Sequence, residues 1–157
     1  MTVDGADPDE SLDALADSLL VASRVLLAVS ARSIALVDES ITFPQFRTLV
    51  ILSTEGPINL ATLAQLLGVQ PSTTGRMVDR LVGSGLIDRR PHPQSRRELV
   101  VELTGHGEGV VQEVTARRRT EIAEIAAKMP ERERRGLVRA LNAFTSAGGE
   151  PPSVAGV

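Results

Sequence analysis

Apolar residues in the first quarter of the chain recur at alternating three- and four-residue steps, which predicts a helix from about Ser11 to Val37. Such steps form a seam for a second helix. Further apolar positions widen the apolar face beyond one seam. Because a chain this small cannot cover such a helix alone, the pattern predicts partner packing. The seam residues predicted to form a dimer contact are Leu12, Leu15, Leu19 and Ala22.

Three shorter helices are predicted in the middle of the chain. The first spans about 42–53, since Thr42 is a favourable N-cap and a proline follows in the first turn. Asn59 is expected to cap the second, Leu60–Leu67, and the third runs from Pro71 to about Gly83. Two helices joined by a tight turn have the helix-turn-helix layout.

The helix over 71–83 has two unlike sides at 100° per residue. Hydroxyl and guanidinium groups, which read base edges and phosphates, collect on one side. A solvated amphipathic helix is the alternative interpretation. Gly75 either allows close backbone approach or is tolerated at a cost of about 1 kcal/mol. The apolar side holds Thr74, Met77, Val78, Leu81 and Val82, and the polar side holds Ser72, Thr73, Arg76, Asp79, Arg80 and Gly83.

A β-hairpin is predicted after this helix. Leu86–Arg90 and Glu98–Thr104 are strand-prone, and the loop Pro91–Ser95 separates them. Arginines occupy both stems of the hairpin, where they are placed to contact the DNA backbone or the minor groove. Helix-turn-helix and hairpin together make a winged helix-turn-helix.

Two helices are predicted to complete the chain, one over about 107–129 and one from Pro130 that carries Leu137, Leu141 and Phe144. The fold class predicted is mainly α with a small β-hairpin wing, namely a winged helix-turn-helix with N- and C-terminal dimerisation helices. The predicted organisation is a single domain, 1–157. It comprises dimerisation helices at 11–37 and 107–146, a DNA-binding region at 42–104, and disorder at 1–10 and 147–157.

Composition and charge narrow the function classes. The chain has 157 residues, a net charge of −3, three Phe, and no Trp, Tyr or Cys, which excludes disulfides and cysteine-based redox or metal sites. Residues 71–97 nevertheless hold six arginines against two aspartates. The acidic N-terminus lacks a signal-peptide layout, and the apolar run Val25–Val37 is short for a bilayer span and contains Arg32. We therefore expect a cytoplasmic protein without membrane contact.

Three blocks of sequence resemble the multiple antibiotic resistance regulator (MarR) family. They are "ITFPQFRTLVIL", "NLATLAQLLGVQPSTTGRMVDRLVGSGLIDRR" and "SRRELVVELTGHG". With the flanking helices, the resemblance covers about residues 12–145. It implies a bacterial or archaeal homodimer, nucleoid-associated when bound to DNA, that recognises a pseudo-palindromic operator in double-stranded DNA.

The resemblance also assigns roles within the wing. Where the family usually has an aspartate that orients the arginine two residues later, this chain has Ser95, and the arginine is Arg97. Arg97 is expected to enter a narrow minor groove. The set of residues expected to contact DNA is Ser72, Thr73, Thr74, Arg76, Arg80, Arg89, Arg90, His92, Ser95, Arg96 and Arg97, with Asp79 orienting Arg76 or Arg80.

A small lipophilic or phenolic effector is a further implication of the resemblance. Without Trp or Tyr, a ligand pocket would be aliphatic with Phe43 or Phe46 at its edge. The metal-ligand candidates are His92, His106 and Glu108. The preferred interpretation places His92 at the wing tip and His106 and Glu108 at the start of a helix. We predict no metal and no cofactor.

A dimeric sequence-specific regulator, most often a repressor in this family, is therefore the leading hypothesis. The alternatives are an architectural DNA binder of low specificity and a winged-helix protein-interaction module. An enzyme is disfavoured, because the chain has two His, no Cys, no Gly-rich phosphate loop and no convergent carboxylate pair.

Overall fold

A computed structural model describes residues 8–150 of the chain. Within this range it contains six helices and a small antiparallel sheet. The helices are α1 (Pro8–Val37), α2 (Phe43–Glu55), α3 (Leu60–Leu67), α4 (Pro71–Gly83), α5 (Gly105–Ala127) and α6 (Glu131–Ala147), and the strands are β1 (Ile58–Asn59), β2 (Ile87–His92) and β3 (Ser95–Leu103). The predicted fold class is confirmed.

Capping residues set the ends of the central helices. The backbone N–H of Gln45 donates to the Thr42 hydroxyl over 3.4 Å, and the N–H of Thr42 donates to the Gln45 side chain over 2.9 Å. These two bonds form a capping box at the start of α2. The Asn59 side chain accepts from the N–H of Thr62 over 2.7 Å and begins α3. The bounds predicted for α3 and α4 are those observed.

The outer ends of the first and last helices differ from the prediction. The first helix begins at Pro8, three residues before its predicted start, and α6 extends to Ala147. Part of the segments predicted to be disordered is therefore helical. The rest of that prediction, at 1–7 and 151–157, lies outside the described residues.

The sheet has the strand order β1-β3-β2. Strand β1, which the sequence analysis missed, pairs with β3 through Ile58 and Val101. The hairpin turn is also shorter than predicted. Strand β2 continues through His92, which pairs with Ser95, so that the turn consists of residues 93–94 alone and β3 begins before Glu98.

The core lies among the C-terminal part of α1, helices α2 to α4, the sheet and the first half of α5. Its fully buried side chains include Leu49, Leu63, Leu81, Ile87 and Val114. The chain divides into two compact units, Met1–Arg118 and Arg119–Val157, and this core belongs to the first. The single domain over 1–157 stays a prediction.

Thr104 and Gly107 connect the base of the hairpin to the start of α5. The Thr104 hydroxyl donates to the Gly85 carbonyl over 2.6 Å and accepts from the Gly107 N–H over 3.0 Å. The Thr104 N–H donates to the Leu86 carbonyl over 3.2 Å. One residue thus caps α5 and holds the turn between α4 and β2, which places the hairpin beside α4.

Replacing Thr104 by valine is expected to lower the free energy of unfolding by about 1–2 kcal/mol, because the cap and the bond to Gly85 are lost while the side-chain shape is kept. Urea unfolding measures this. Thr54→Val is the control, since the exposed Thr54 hydroxyl donates to a carbonyl within α2 only. Equal stability of the two variants would contradict the role given to Thr104.

Helix α1 is largely exposed in the isolated chain. The segment Ser11–Val37 is apolar and long enough to cross a membrane by length and composition, with 22% of its apolar window buried. The sequence argument from the short run Val25–Val37 therefore understated its apolar length. Length and apolarity alone do not identify what covers this helix, because an interface helix of a soluble oligomer has the same pattern.

Candidate nucleic-acid interface

Helix α4 buries one side in the core and exposes the other. Val78 and Leu81 are buried, whereas Arg76 and Arg80 are exposed, as are Ser72 and Thr73 near the N-terminus of the helix. The helix therefore presents hydroxyl and guanidinium groups together on its open side, as the sequence predicted.

Thr74 was wrongly included among the DNA contacts. Its side chain is fully buried, and its hydroxyl donates to the Gln70 carbonyl over 3.2 Å. The helical angle already placed this residue on the apolar side, so its hydroxyl serves the first turn of α4 instead of a DNA surface.

Gly75 does not mark a close backbone approach within the described part of the chain. A Cβ atom built there would meet one atom of the Leu60 side chain at 3.9 Å, which is ordinary van der Waals contact. The interpretation that glycine is tolerated at this position is the one the surroundings support.

Gly75→Ala is therefore expected to raise the free energy of unfolding by about 0.5–1 kcal/mol, because alanine loses less backbone entropy in a helix. Thermal unfolding of the two proteins at one concentration checks this. A lower Tm in the variant would show that α4 needs the glycine.

The hairpin directs consecutive arginines to opposite faces. Arg89 pairs with Val101 in the register and lies on the same strand face as the fully buried Ile87. Its side chain therefore projects from the face that packs on the helices. There it forms an ion pair with Asp79 of α4. The expectation that Asp79 orients Arg76 or Arg80 is wrong for this structure, since the partner comes from β2.

Arg90 lies on the other face of the hairpin and contacts Glu102. Its Nε lies 3.0 Å from Glu102 Oε1, and its Nη2 lies 3.5 Å from Glu102 Oε2. Arg90 pairs with Val100 in the register, so Glu102 is its diagonal neighbour across the two strands. Two of the four wing arginines thus have carboxylate partners within the chain.

Arg96 and Arg97 lie where the hairpin register shifts. His92 pairs with Ser95 but Pro91 pairs with Leu99, so residues 96–98 have no paired residue on β2. A register shift of this kind redirects side chains away from the regular pleat. Both arginines are exposed. At the tip, the Gln94 N–H donates to His92 Nδ1 over 3.1 Å, and the His92 and Ser95 side chains are half-buried.

The charge of the candidate surface follows from these pairings. Asp79 and Glu102 neutralise one wing arginine each. Within residues 8–150, the structure shows no ion pair for Arg76 and Arg80 of α4 or for Arg96 and Arg97 of the wing. Four guanidinium groups per chain are therefore available to an anionic partner.

The residues predicted for dimerisation are mostly exposed in the isolated chain. In the first unit, Leu12 is 63% exposed and Leu15 is 54% exposed, while Ala22 is exposed and Leu19 is half-buried. In the second unit, Leu137, Leu141 and Phe144 of α6 are all exposed, with Phe144 at 53%.

The residues considered for a ligand pocket or a metal lie in different surroundings. Phe46 is buried in the core, and Phe43 is 43% exposed. His92, His106 and Glu108 are not brought together as a metal-binding group in the described part of the chain. Glu108 instead accepts a hydrogen bond from the Ser53 hydroxyl over 3.1 Å.

Sequence reasoning missed three residues that position this surface. Glu102 would have emerged from the correct hairpin register, since it then lies diagonal to Arg90. Thr104 and Gly107 belong to the "LTGHG" segment, whose spacing of three residues is that of an N-cap and its N3 residue.

Comparison with known proteins agrees with this architecture. The model of the MarR family matches residues 41–99. The chain is 68% identical to the crystal structure of RV1404 from Mycobacterium tuberculosis, with a TM-score of 0.85 over 94% of this chain and 99% of that one. It is 22% identical to a mutant MarR from E. coli complexed with operator DNA, with a TM-score of 0.67 over 88% of this chain and 99% of that one, a likeness of fold.

A curated relative adds a function for comparison. The HTH-type transcriptional repressor NicR of Pseudomonas putida is 37% identical over 70 residues, which cover 45% of this chain and 44% of that protein. The chain spans 39% and 51% of the length of two further curated relatives. The family model, the near-complete match to RV1404 and the winged-helix fold agree with one another, and the chain belongs to the MarR family.

Proposed function

We propose that this protein is a cytoplasmic, homodimeric transcriptional repressor that binds a pseudo-palindromic operator in double-stranded DNA. The observation that carries the proposal is the set of unpaired guanidinium groups on α4 and the wing. Although the chain as a whole is acidic, these guanidinium groups are suited to binding phosphates and base edges. Ser72 and Thr73 add hydroxyl donors at the exposed start of α4.

We propose that a second copy of the chain packs against the exposed apolar residues of α1 and α6. Leu12 and Leu15 of α1 and Leu141 and Phe144 of α6 stand at 41–63% exposure. Apolar side chains exposed in series on two helices indicate an interface. Two-fold symmetry of such a dimer would match the two-fold symmetry of a pseudo-palindromic operator.

Repression and its release rest on the family. The relative NicR is a transcriptional repressor. Release by a small lipophilic or phenolic effector is carried over from the family resemblance, and Phe43 is an exposed aromatic side chain that a ligand could reach.

Selection of genomic DNA fragments by the purified protein, at low and at near-physiological salt, tests the proposal. We expect a few fragments that share a pseudo-palindrome with half-sites about one helical turn apart. Enrichment without sequence preference that collapses as salt rises would identify an architectural binder instead. Failure to enrich DNA in either condition would favour the protein-interaction module.

A further inference from the structure

The ion pair between Arg89 and Asp79 joins the two elements that are proposed to meet DNA. Asp79 belongs to α4 and Arg89 to β2, and their side chains are 59% and 37% exposed. Ion pairs this exposed contribute little to folding stability. The pair therefore needs an explanation other than holding the fold together.

The hairpin register explains why Arg89 reaches α4. Arg89 shares a strand face with Ile87 and Val101, both of which are fully buried. Its aliphatic stem therefore projects from the sheet face that packs against the helices, where α4 lies. The guanidinium group forms its ion pair with Asp79 where this packed region meets solvent. Arg90, on the opposite face, cannot make this contact and pairs with Glu102 instead.

Asp79 also occupies a position where a free carboxylate would be unfavourable for DNA binding. It lies three residues after Arg76 and one residue before Arg80, on the polar side of α4. A lone negative charge there would repel phosphates. Arg89 neutralises that charge, and its own charge is neutralised in return.

We propose that Arg89 is a positioning residue, which acts on DNA through Asp79 by holding the wing and α4 in one fixed relative geometry. The charge offered to phosphates comes from Arg76, Arg80, Arg96 and Arg97. This inference rests on the proposed function. It reassigns Arg89, which the sequence placed among the direct DNA contacts.

Asp79→Asn separates this inference from simple electrostatics, because the two predict opposite signs. Removing a negative charge from a DNA-facing surface should tighten binding if charge alone matters. If the ion pair sets the geometry, affinity for the duplex selected above falls by roughly 3- to 10-fold, the size of effect that coupled contact pairs show. Affinity for a scrambled duplex of equal length does not fall.

Arg89→Gln provides the second arm of a double-mutant cycle. It is expected to match Asp79→Asn in its loss of specific affinity, and the double variant should lose no more than either single variant. The slope of log affinity against log salt for the scrambled duplex should stay as in the parent, because each lost phosphate contact would reduce it by about 0.9. Glu102→Gln, which breaks the pair on the opposite face, should change specific affinity by less than about 2-fold.

Three results would overturn the inference while leaving the proposed function intact. They are unchanged or tighter specific binding by Asp79→Asn, a reduced salt slope for Arg89→Gln, and an equal loss in Glu102→Gln. A parent protein that binds neither duplex would overturn the proposed function and the inference together. Circular dichroism melts of the variants confirm that each is folded, as expected for exposed residues.

Discussion

Gly107→Ala is expected to lower the free energy of unfolding by about 1–3 kcal/mol, the usual cost of forcing extra volume into a packed site. A Cβ atom at this position would lie 2.1 Å from the Leu86 carbonyl oxygen and 3.1 Å from a methyl carbon of Leu103. The first contact is with backbone, which cannot rotate away as a side chain does. Because the Leu86 carbonyl also accepts from the Thr104 N–H, relief of the clash would disturb the base of the wing.

Gly109→Ala is the matched control for this prediction. Gly109 lies in the same helix, and a Cβ atom there would meet nothing within 4 Å. Alanine at this position should leave stability unchanged or raise it by up to about 1 kcal/mol. Urea unfolding of the three proteins at one concentration measures both changes, since the proposed dimer would make stability depend on concentration. A Gly107→Ala variant as stable as the parent would show that α5 does not pack closely on Leu86.

The helices of the DNA-binding region were predictable because local residues determine their ends. Asn59 caps α3, and Gly68 adopts the left-handed conformation with φ of 67° that ends it. Pro71 opens α4. These signals act over a few residues and do not depend on the rest of the fold, which is why the predicted bounds of both helices match the structure.

The sheet was less predictable, since its pairing joins distant residues. Strand β1 has only two residues and therefore no periodicity to detect. Pro91 and Pro93 suggested a loop, but β2 is an edge strand of the sheet, where a proline needs no partner for its missing N–H. The strand accordingly continues through Pro91, and the turn shortens to two residues.

The sequence supplies candidate residues for the site, but it does not supply their ion pairs. The sequence places all four wing arginines together, and it cannot say which of them meets a carboxylate. The hairpin register pairs Arg90 with Glu102, and the packing of the hairpin on α4 pairs Arg89 with Asp79. Only the three-dimensional arrangement separates these two from Arg96 and Arg97.

Arg97→Ala is expected to weaken binding to the selected duplex by about 1–3 kcal/mol, or roughly 5- to 150-fold. Arg97 is exposed in the register-shifted segment of the wing, and it has no ion pair within residues 8–150. Its guanidinium is therefore free to enter a narrow minor groove, where the negative potential is enhanced. Fluorescence anisotropy with the labelled duplex, at a fixed salt concentration, measures the change.

Arg90→Ala is the control on the same hairpin, because the Arg90 guanidinium already contacts Glu102 over 3.0 Å. It should cost less affinity than Arg97→Ala, and an equal or greater cost would mean that the ion pair opens on DNA.

Ser95→Asp restores the carboxylate that the family usually has two residues before the wing arginine. If that carboxylate orients Arg97, the variant binds more tightly than the parent and loses the gain when Arg97 is also replaced. Weaker binding would instead show that the half-buried serine at the hairpin turn suits this wing better than a charged side chain, and that Arg97 reaches DNA without a carboxylate to hold it.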